Sequence, residues 1–395
     1  MRKTRIIAAI LLANAFWARS QSFDALVDSV IENNPTLKAE QARIKSELYS
    51  AKSENMLSAP DAEFEYLWGR KDAGDKLNAG ISQEFDWPGA YKARRKAMKT
   101  KSRALQFLSK SNELEKRLEV KLLYIDIINN KKNSSLLKQR IEIMNQLIEK
   151  YSRGVSLGQL AVLDLNKLKI ENLRLKNSLT DFETEFTVLK SSLEKLNGGK
   201  PCGYIIESLN DYPEEIVLPI SEYDRQLAES DPMTMYSESA AESQLQEINA
   251  EKMMRLPGFS LGYHYSMEGG EVFNGVALGI KLPSYSSGAR IKAAQALSES
   301  LSYEKEILAT ERRADMLANR EKAVDLLRKY SDYKALMKND DSVNQLKKSL
   351  DAGEISIIDY LAEMDFFLVA TQEMLQLEYD YMVALTNLNK YQLLR

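Results

Sequence analysis

Four carboxylates, Glu63, Glu65, Glu84 and Asp86, and one imidazole, His264, are the first residues whose placing could do chemistry. Each lies on the polar side of a segment in which every second residue is apolar. Carboxylates along one side of a strand, turned toward a lumen, would make a pore prefer cations. His264 has no second ligand beside it, and no metal is read from it. A second group, Asp164, Asp351, Glu354 and Asp359, gathers around Gly154, Gly158 and Gly353. These acids could ring a constriction, drawing cations or latching it by hydrogen bonds. They could equally cap and solvate helix ends, while the glycines read as turn residues that supply backbone freedom.

Enzymatic chemistry is excluded by type and spacing. One histidine rules out HExxH, and one cysteine, Cys202, rules out both a zinc cluster and a disulfide within the chain. No phosphate-binding GxxxxGK[ST] loop and no G-x-S-x-G elbow occurs, and no cofactor is expected. Met233, Met235, Met253 and Met254 read as core filling rather than as a copper relay. The basic run 91–103, YKARRKAMKTKSR, reads as a solvated helix face, with contact to acidic lipid headgroups as the other reading.

Arg2, Lys3 and Arg5 precede an apolar run from Ile6 to Trp17 and then Ala18-Arg19-Ser20, the pattern of a secretory signal peptide over 1–20. Losing its four basic residues takes the net charge from -3 to about -7, which argues against a nucleic-acid partner. No N-terminal cysteine follows the cleavage site to carry a lipid. No later stretch reaches the ~20 apolar residues of a membrane helix. Entry into a membrane would be as β-strands.

The elements that position these residues form a tandem repeat. Pro35 and Pro232, and Pro60 and Pro257, are each 197 apart, and Pro88 and Pro283 are 195 apart. SLGQLAVLDL (156–165) answers DAGEISIIDYL (351–361). Residues 90–153 and 289–352 lack both proline and glycine, enough for helices of roughly 96 Å. Leu175, Leu179, Phe182, Phe186, Leu189, Leu193 and Leu196 step by alternating fours and threes, a coiled-coil seam. Leu361, Met364, Leu368, Leu375, Met382 and Leu385 keep the same rhythm, with Thr371 and Glu378 interrupting it. The expected layout is a first repeat over 21–200, with strands at 61–68 and 77–87, a long helix at 90–153 and a return helix at 159–197. An acidic Gly/Pro-rich connector follows at 201–231. The second repeat, 232–395, has strands at 259–267 and 275–282, a long helix at 288–351 and a return helix at 356–391.

The strand segments alternate strictly. Phe64, Tyr66 and Trp68, then Leu77, Ala79, Ile81, Phe85 and Trp87, then Phe259, Leu261, Tyr263, Tyr265 and Met267, mark one side; only Gln83 interrupts it. Such segments suit a membrane barrel, with one face to lipid and one to a wet lumen. Trp68 and Trp87 fall at opposite heights of the first hairpin and, with Tyr66, Tyr263 and Tyr265, read as lipid-facing girdle residues. Four strands cannot close a barrel in lipid, where every edge must be paired, but three copies supply twelve. The fold class read is mainly α with a transmembrane β part, as a homotrimer with a 12-stranded β-barrel and a helical barrel.

With these features in this order, the chain resembles the TolC family of outer-membrane efflux proteins. The repeat, NNPTLKAEQARI (33–44), the proline-ended second strands and the two glycine turns carry the resemblance. It implies an outer-membrane channel reaching into the periplasm and serving a tripartite efflux or type I secretion-like system. It further implies a tip closed at rest, a periplasmic adaptor protein and an inner-membrane pump as partners, and outer-membrane lipid around the barrel. The corner WPGAYK (87–92) is shorter than LPSYSSGARIK (282–292). The competing reading is a secreted periplasmic coiled-coil scaffold or adaptor. Cargo, whether drug, metal cation or secreted peptide, is not encoded.

Overall fold

The computed structural model of the chain describes residues 23–70, 74–282, 287–337 and 342–394. The expected leader (1–20), part of the first hairpin turn (71–73), part of the second strand-to-helix corner (283–286) and residues 338–341 of the expected second long helix lie outside them.

After α1 (23–31) come α2 (Pro35–Glu54), β1 (Asp61–Leu67), β2 (Lys76–Phe85), the 69-residue α3 (Pro88–Ser156) and α4 (Val162–Leu196). Two short helices, α5 (Gly203–Ser208) and α6 (Ile220–Ser230), lead into α7 (Pro232–Met253), β3 (Gly258–Glu268), β4 (Glu271–Lys281), α8 (Ser287–Met337), α9 (Ser342–Asp351) and α10 (Ile357–Leu388). Proline opens α3 and α7 at the first helical position, where its missing N–H costs nothing.

The compact units do not follow the repeat, because each takes parts of both halves. One comprises Met1–Leu37, Asn112–Ser230 and Arg313–Arg395 and the other Lys38–Ser111 and Asp231–Arg312. The first unit holds the apolar core. Leu137, Ile141, Met144, Leu147 and Tyr151 of α3 pack with Leu165, Leu168 and Leu175 of α4, Leu350 of α9, and Ile357, Tyr360, Met364 and Leu368 of α10. The heptad rows read from sequence are therefore seams: Leu179 and Phe182 line this cluster, while Phe186, Leu189, Leu193 and Leu196 belong to the next one.

The connector is more ordered than its composition suggests. Cys202, Ile205, Ile206 and Leu209 are buried against Val120, Tyr124, Ile127 and Ile128 of α3, and Tyr223 of α6 packs with Met382 and Leu385 of α10. Lys131 ties it down by donating to the carbonyls of Ile206 and Leu209, at 2.7 and 2.8 Å. Beside it, the Tyr379 hydroxyl donates to Asp126 at 2.9 Å, and Lys132 pairs with Glu378 at 2.6 Å.

In the second unit α7 lies against the start of α8 with few large apolar residues. Its buried residues are Pro232, Ser237, Ser239, Ser243, Ile248 and Ala250, and polar links hold the pair, among them Arg290 to Glu251 at 3.3 Å and Gln244 to the Ala294 carbonyl at 3.1 Å. This unit also contains the sheet, ordered β1-β2-β3-β4 and antiparallel throughout. Gly269 and Gly270, with φ of 58° and 93°, form the two-residue turn between β3 and β4. Positive φ at both positions matches the twist of a tight hairpin.

Candidate functional site

Two places collect the residues singled out by sequence: the faces of the sheet and the two glycine turns. Register decides the first. Phe64 pairs with Ala79, Ala79 with Tyr265 and Tyr265 with Asn274; Tyr66 pairs with Leu77, Leu77 with Met267 and Met267 with Val272. Ile81 meets Tyr263 and Tyr263 meets Val276; Phe85 meets Phe259 and Phe259 meets Ile280. Since side chains alternate along a strand, four separate alternations merge into one apolar face. That face is open: Val276 is 71% exposed, Leu278 81% and Trp68 83%.

Trp68 follows the end of β1 and Trp87 follows the end of β2, so the two indoles mark opposite ends of the hairpin. Ten residues of β2 extend about 33 Å, and a barrel tilt of 35–45° reduces that to roughly 25 Å, the height of a membrane barrel's apolar band. Tyr66 stacks edge-on to Trp68 at 5.5 Å, and the Tyr263 hydroxyl donates to Asn274 at 2.8 Å.

The opposite face carries Glu63, Glu65, Glu84 and His264 among small residues. Glu63 pairs with Gly80, Gly80 with His264 and His264 with Gly275. A Cβ on Gly279 would stand 2.4 Å from the Ser260 hydroxyl, which would have to turn aside to admit it. Three of the four carboxylates are partnered. Glu65 accepts from Asn78 at 2.8 Å, Lys281 pairs with Glu84 at 2.7 Å, and Arg94 pairs with Asp86 at 2.6 Å. The alternation places Lys281 on this face, but its partnership with Glu84 crosses β3, which no spacing in the chain reveals. Leu67, opposite Lys76 and 47% exposed, and Phe273, opposite Ser266 and 55% exposed, are the large apolar exceptions on this face.

The two glycine turns are the same motif. At the end of α3, Gly158 has φ 69° and donates to the Val155 carbonyl at 3.0 Å, while Gln159 donates to that of Gly154 at 2.9 Å. At the end of α9, Gly353 has φ 77° and donates to the Leu350 carbonyl at 3.1 Å, and Glu354 to that of Ser349 at 2.9 Å. This paired reversal satisfies the last helical carbonyls and needs a left-handed residue, which glycine adopts without strain. Gly154 serves otherwise. It is helical, and a Cβ there would lie 2.4 Å from Leu160, so it makes space rather than supplying a turn conformation.

The acids at these turns divide by role. Asp359 forms a capping box with Ser356, whose hydroxyl accepts from the Asp359 N–H at 3.2 Å while the carboxylate accepts from the Ser356 N–H at 3.3 Å. Its counterpart Asp164 faces Ala161, which has no hydroxyl, and lies 3.7 Å from Lys167. Asp351 pairs with Lys150 at 2.6 Å. Glu354 stays exposed.

A helix-strand-strand-long helix-helix unit used twice, contributing four strands with an open apolar face, defines the fold of the TolC-type outer-membrane channels. Solved structures agree over nearly the whole chain. The outer membrane protein VceC of Vibrio cholerae superposes with a TM-score of 0.75 at 12% identity, covering 94% of this chain and 96% of VceC. The CmeC outer membrane channel of Campylobacter jejuni gives 0.72 at 15% identity, covering 93% and 85%. The outer-membrane channel OprN gives 0.72 at 15% identity, covering 95% and 91%. No protein-family model and no curated protein matches the sequence.

Proposed function

We propose that three copies of this chain close a 12-stranded barrel in the bacterial outer membrane and conduct substrate passively from an inner-membrane pump to the exterior. The observation that carries this is the single apolar face of the sheet, exposed between two open edge strands, β1 and β4. A long edge with an apolar face is an aggregation hazard in water. In lipid every edge must be paired, and β4 of one copy can pair with β1 of the next. Exposed apolar residues on the helices favour the same assembly: Leu163, Ile170 and Leu173 on α4 and Leu297 and Ile307 on α8 lack a cover within one chain.

The partners that fit are a periplasmic adaptor protein and the pump it joins. Leu157, Leu160 and Val162, exposed at the α3–α4 turn, offer such an adaptor an apolar foothold. The acids of the two turns would lie at the periplasmic tip, where Glu354 is the one left to line a constriction. A secreted scaffold would have no use for an uncovered apolar sheet face. Planar-bilayer recording tests the reading: purified protein is expected to give discrete ion-conducting steps, and protein that stays soluble without detergent and carries no current would leave the scaffold.

A further inference from the structure

α2 and the first turns of α3 enclose an open groove of ≈ 920 Å³ within the second unit. Its rim carries five cations, Lys45 and Lys52 from α2 and Arg95, Lys99 and Arg103 from α3, and no carboxylate lines it. Its apolar lining is Leu48, Tyr49 and Met98. Like charges gathered at one place repel, so proteins normally intersperse carboxylates or pair such groups. Among the described residues, none of the five forms an ion pair, although Arg94, next to Arg95, pairs with Asp86 at 2.6 Å. Arg103 has only the Phe107 ring, at 5.8 Å.

We propose that this groove binds an anionic phospholipid of the membrane's inner leaflet, the cations taking the headgroup phosphate and the apolar Leu48, Tyr49 and Met98 taking the adjoining glycerol carbons. The inference rests on the barrel reading, which sets the height of the groove. α3 begins at Pro88, beside the girdle residue Trp87, so Arg95 and Lys99 lie roughly 10–17 Å along the helix from that boundary. The headgroup layer occupies about 5–8 Å beyond the hydrocarbon. Arginine and lysine stems reach several ångströms back toward it, and a Debye length of about 8 Å carries the attraction further. Charge and apolar lining together select a lipid over a bare anion, because phosphate alone would leave the lining unused.

Native mass spectrometry of the full-length, detergent-extracted protein tests this, with phosphatidylglycerol, phosphatidylcholine or inorganic phosphate added, for wild type, R95Q/K99Q and K45Q/K52Q. Wild type is expected to retain phosphatidylglycerol over phosphatidylcholine, and each double variant to lose that retention by roughly tenfold or more. Equal retention by wild type and variants overturns the proposal. So does phosphate binding without any preference for phosphatidylglycerol, which would make the groove a free-anion site. A variant that loses its oligomeric mass also overturns it, by assigning the groove to a contact between copies. Flotation of the wild type with liposomes separates the two readings: protein that floats without lipid preference loses only the groove, and protein that does not float loses the barrel as well.

Discussion

Lys150 on the last turns of α3 and Asp351 at the end of α9 meet at 2.6 Å, joining the helices just before their two matching glycine turns. Both side chains are about half exposed, so the pair contributes under about 1 kcal/mol to stability. Its consequence is electrostatic: Asp351 is neutralised by its own chain and Asp359 is held in its cap, while Glu354 faces solvent. In bilayer recordings under a salt gradient, Glu354→Gln is therefore expected to lower cation preference more than Asp351→Asn or Asp359→Asn. An equal shift for Asp351→Asn would contradict this division of roles.

The turns themselves make a stability prediction. Gly158 and Gly353 both hold left-handed φ, so Gly158→Ala and Gly353→Ala are each expected to destabilise by about 1–2 kcal/mol. Ser356→Ala removes the cap of α10 and is expected to cost about 1 kcal/mol. The equivalent site already holds Ala161, so Ala161→Ser is expected to stabilise by completing the missing box with Asp164. Thermal melts in detergent check all four, and an unaltered melting temperature for Gly353→Ala would contradict the strain argument.

Inside the proposed barrel, Lys281 offsets Glu84. Lys281→Gln should raise cation selectivity by leaving that carboxylate unpaired, and Glu84→Gln on the same background should restore it. Reversal potentials measure both. No change in the single variant would place the pair outside the conduction path.

Asp126 gives a pH prediction in the helical region. Burial raises its pKa above the ordinary value of 3.8, outweighing the lowering by the Tyr379 hydrogen bond, and Glu185 adds to the rise. A raised folded pKa means the folded state binds its proton more tightly. The ionised group thus costs stability at neutral pH, and the cost fades as pH falls through the folded pKa toward 3.8. Asp126→Asn should raise the melting temperature at pH 7 and give no advantage at about pH 3. A variant less stable at pH 7 would contradict this.

What could be read from sequence was whatever period and punctuation encode. The alternation of Phe259 to Met267 and the seam from Leu175 to Leu196 survive in three dimensions because a strand shows two faces and a helix repeats every 3.6 residues. The matching glycines at 158 and 353 were legible because a helix end needs a left-handed residue. What stayed hidden depends on partners far along the chain. Lys281 meets Glu84, 197 residues away, only through strand register. The connector was legible only as an acidic Gly/Pro-rich segment joining the halves, while Ile205 and Tyr223 anchor it in the core. Gly154 looked like another turn glycine and proved to be room for Leu160. α4 begins at Val162 rather than 159 because the paired reversal occupies the residues between.

The central claim is that the sheet is one third of a membrane barrel, and native mass after extraction from outer membranes tests it most directly. The account predicts a homotrimer that leaves the membrane only with detergent. A monomer or dimer recovered from the periplasm without detergent would contradict it.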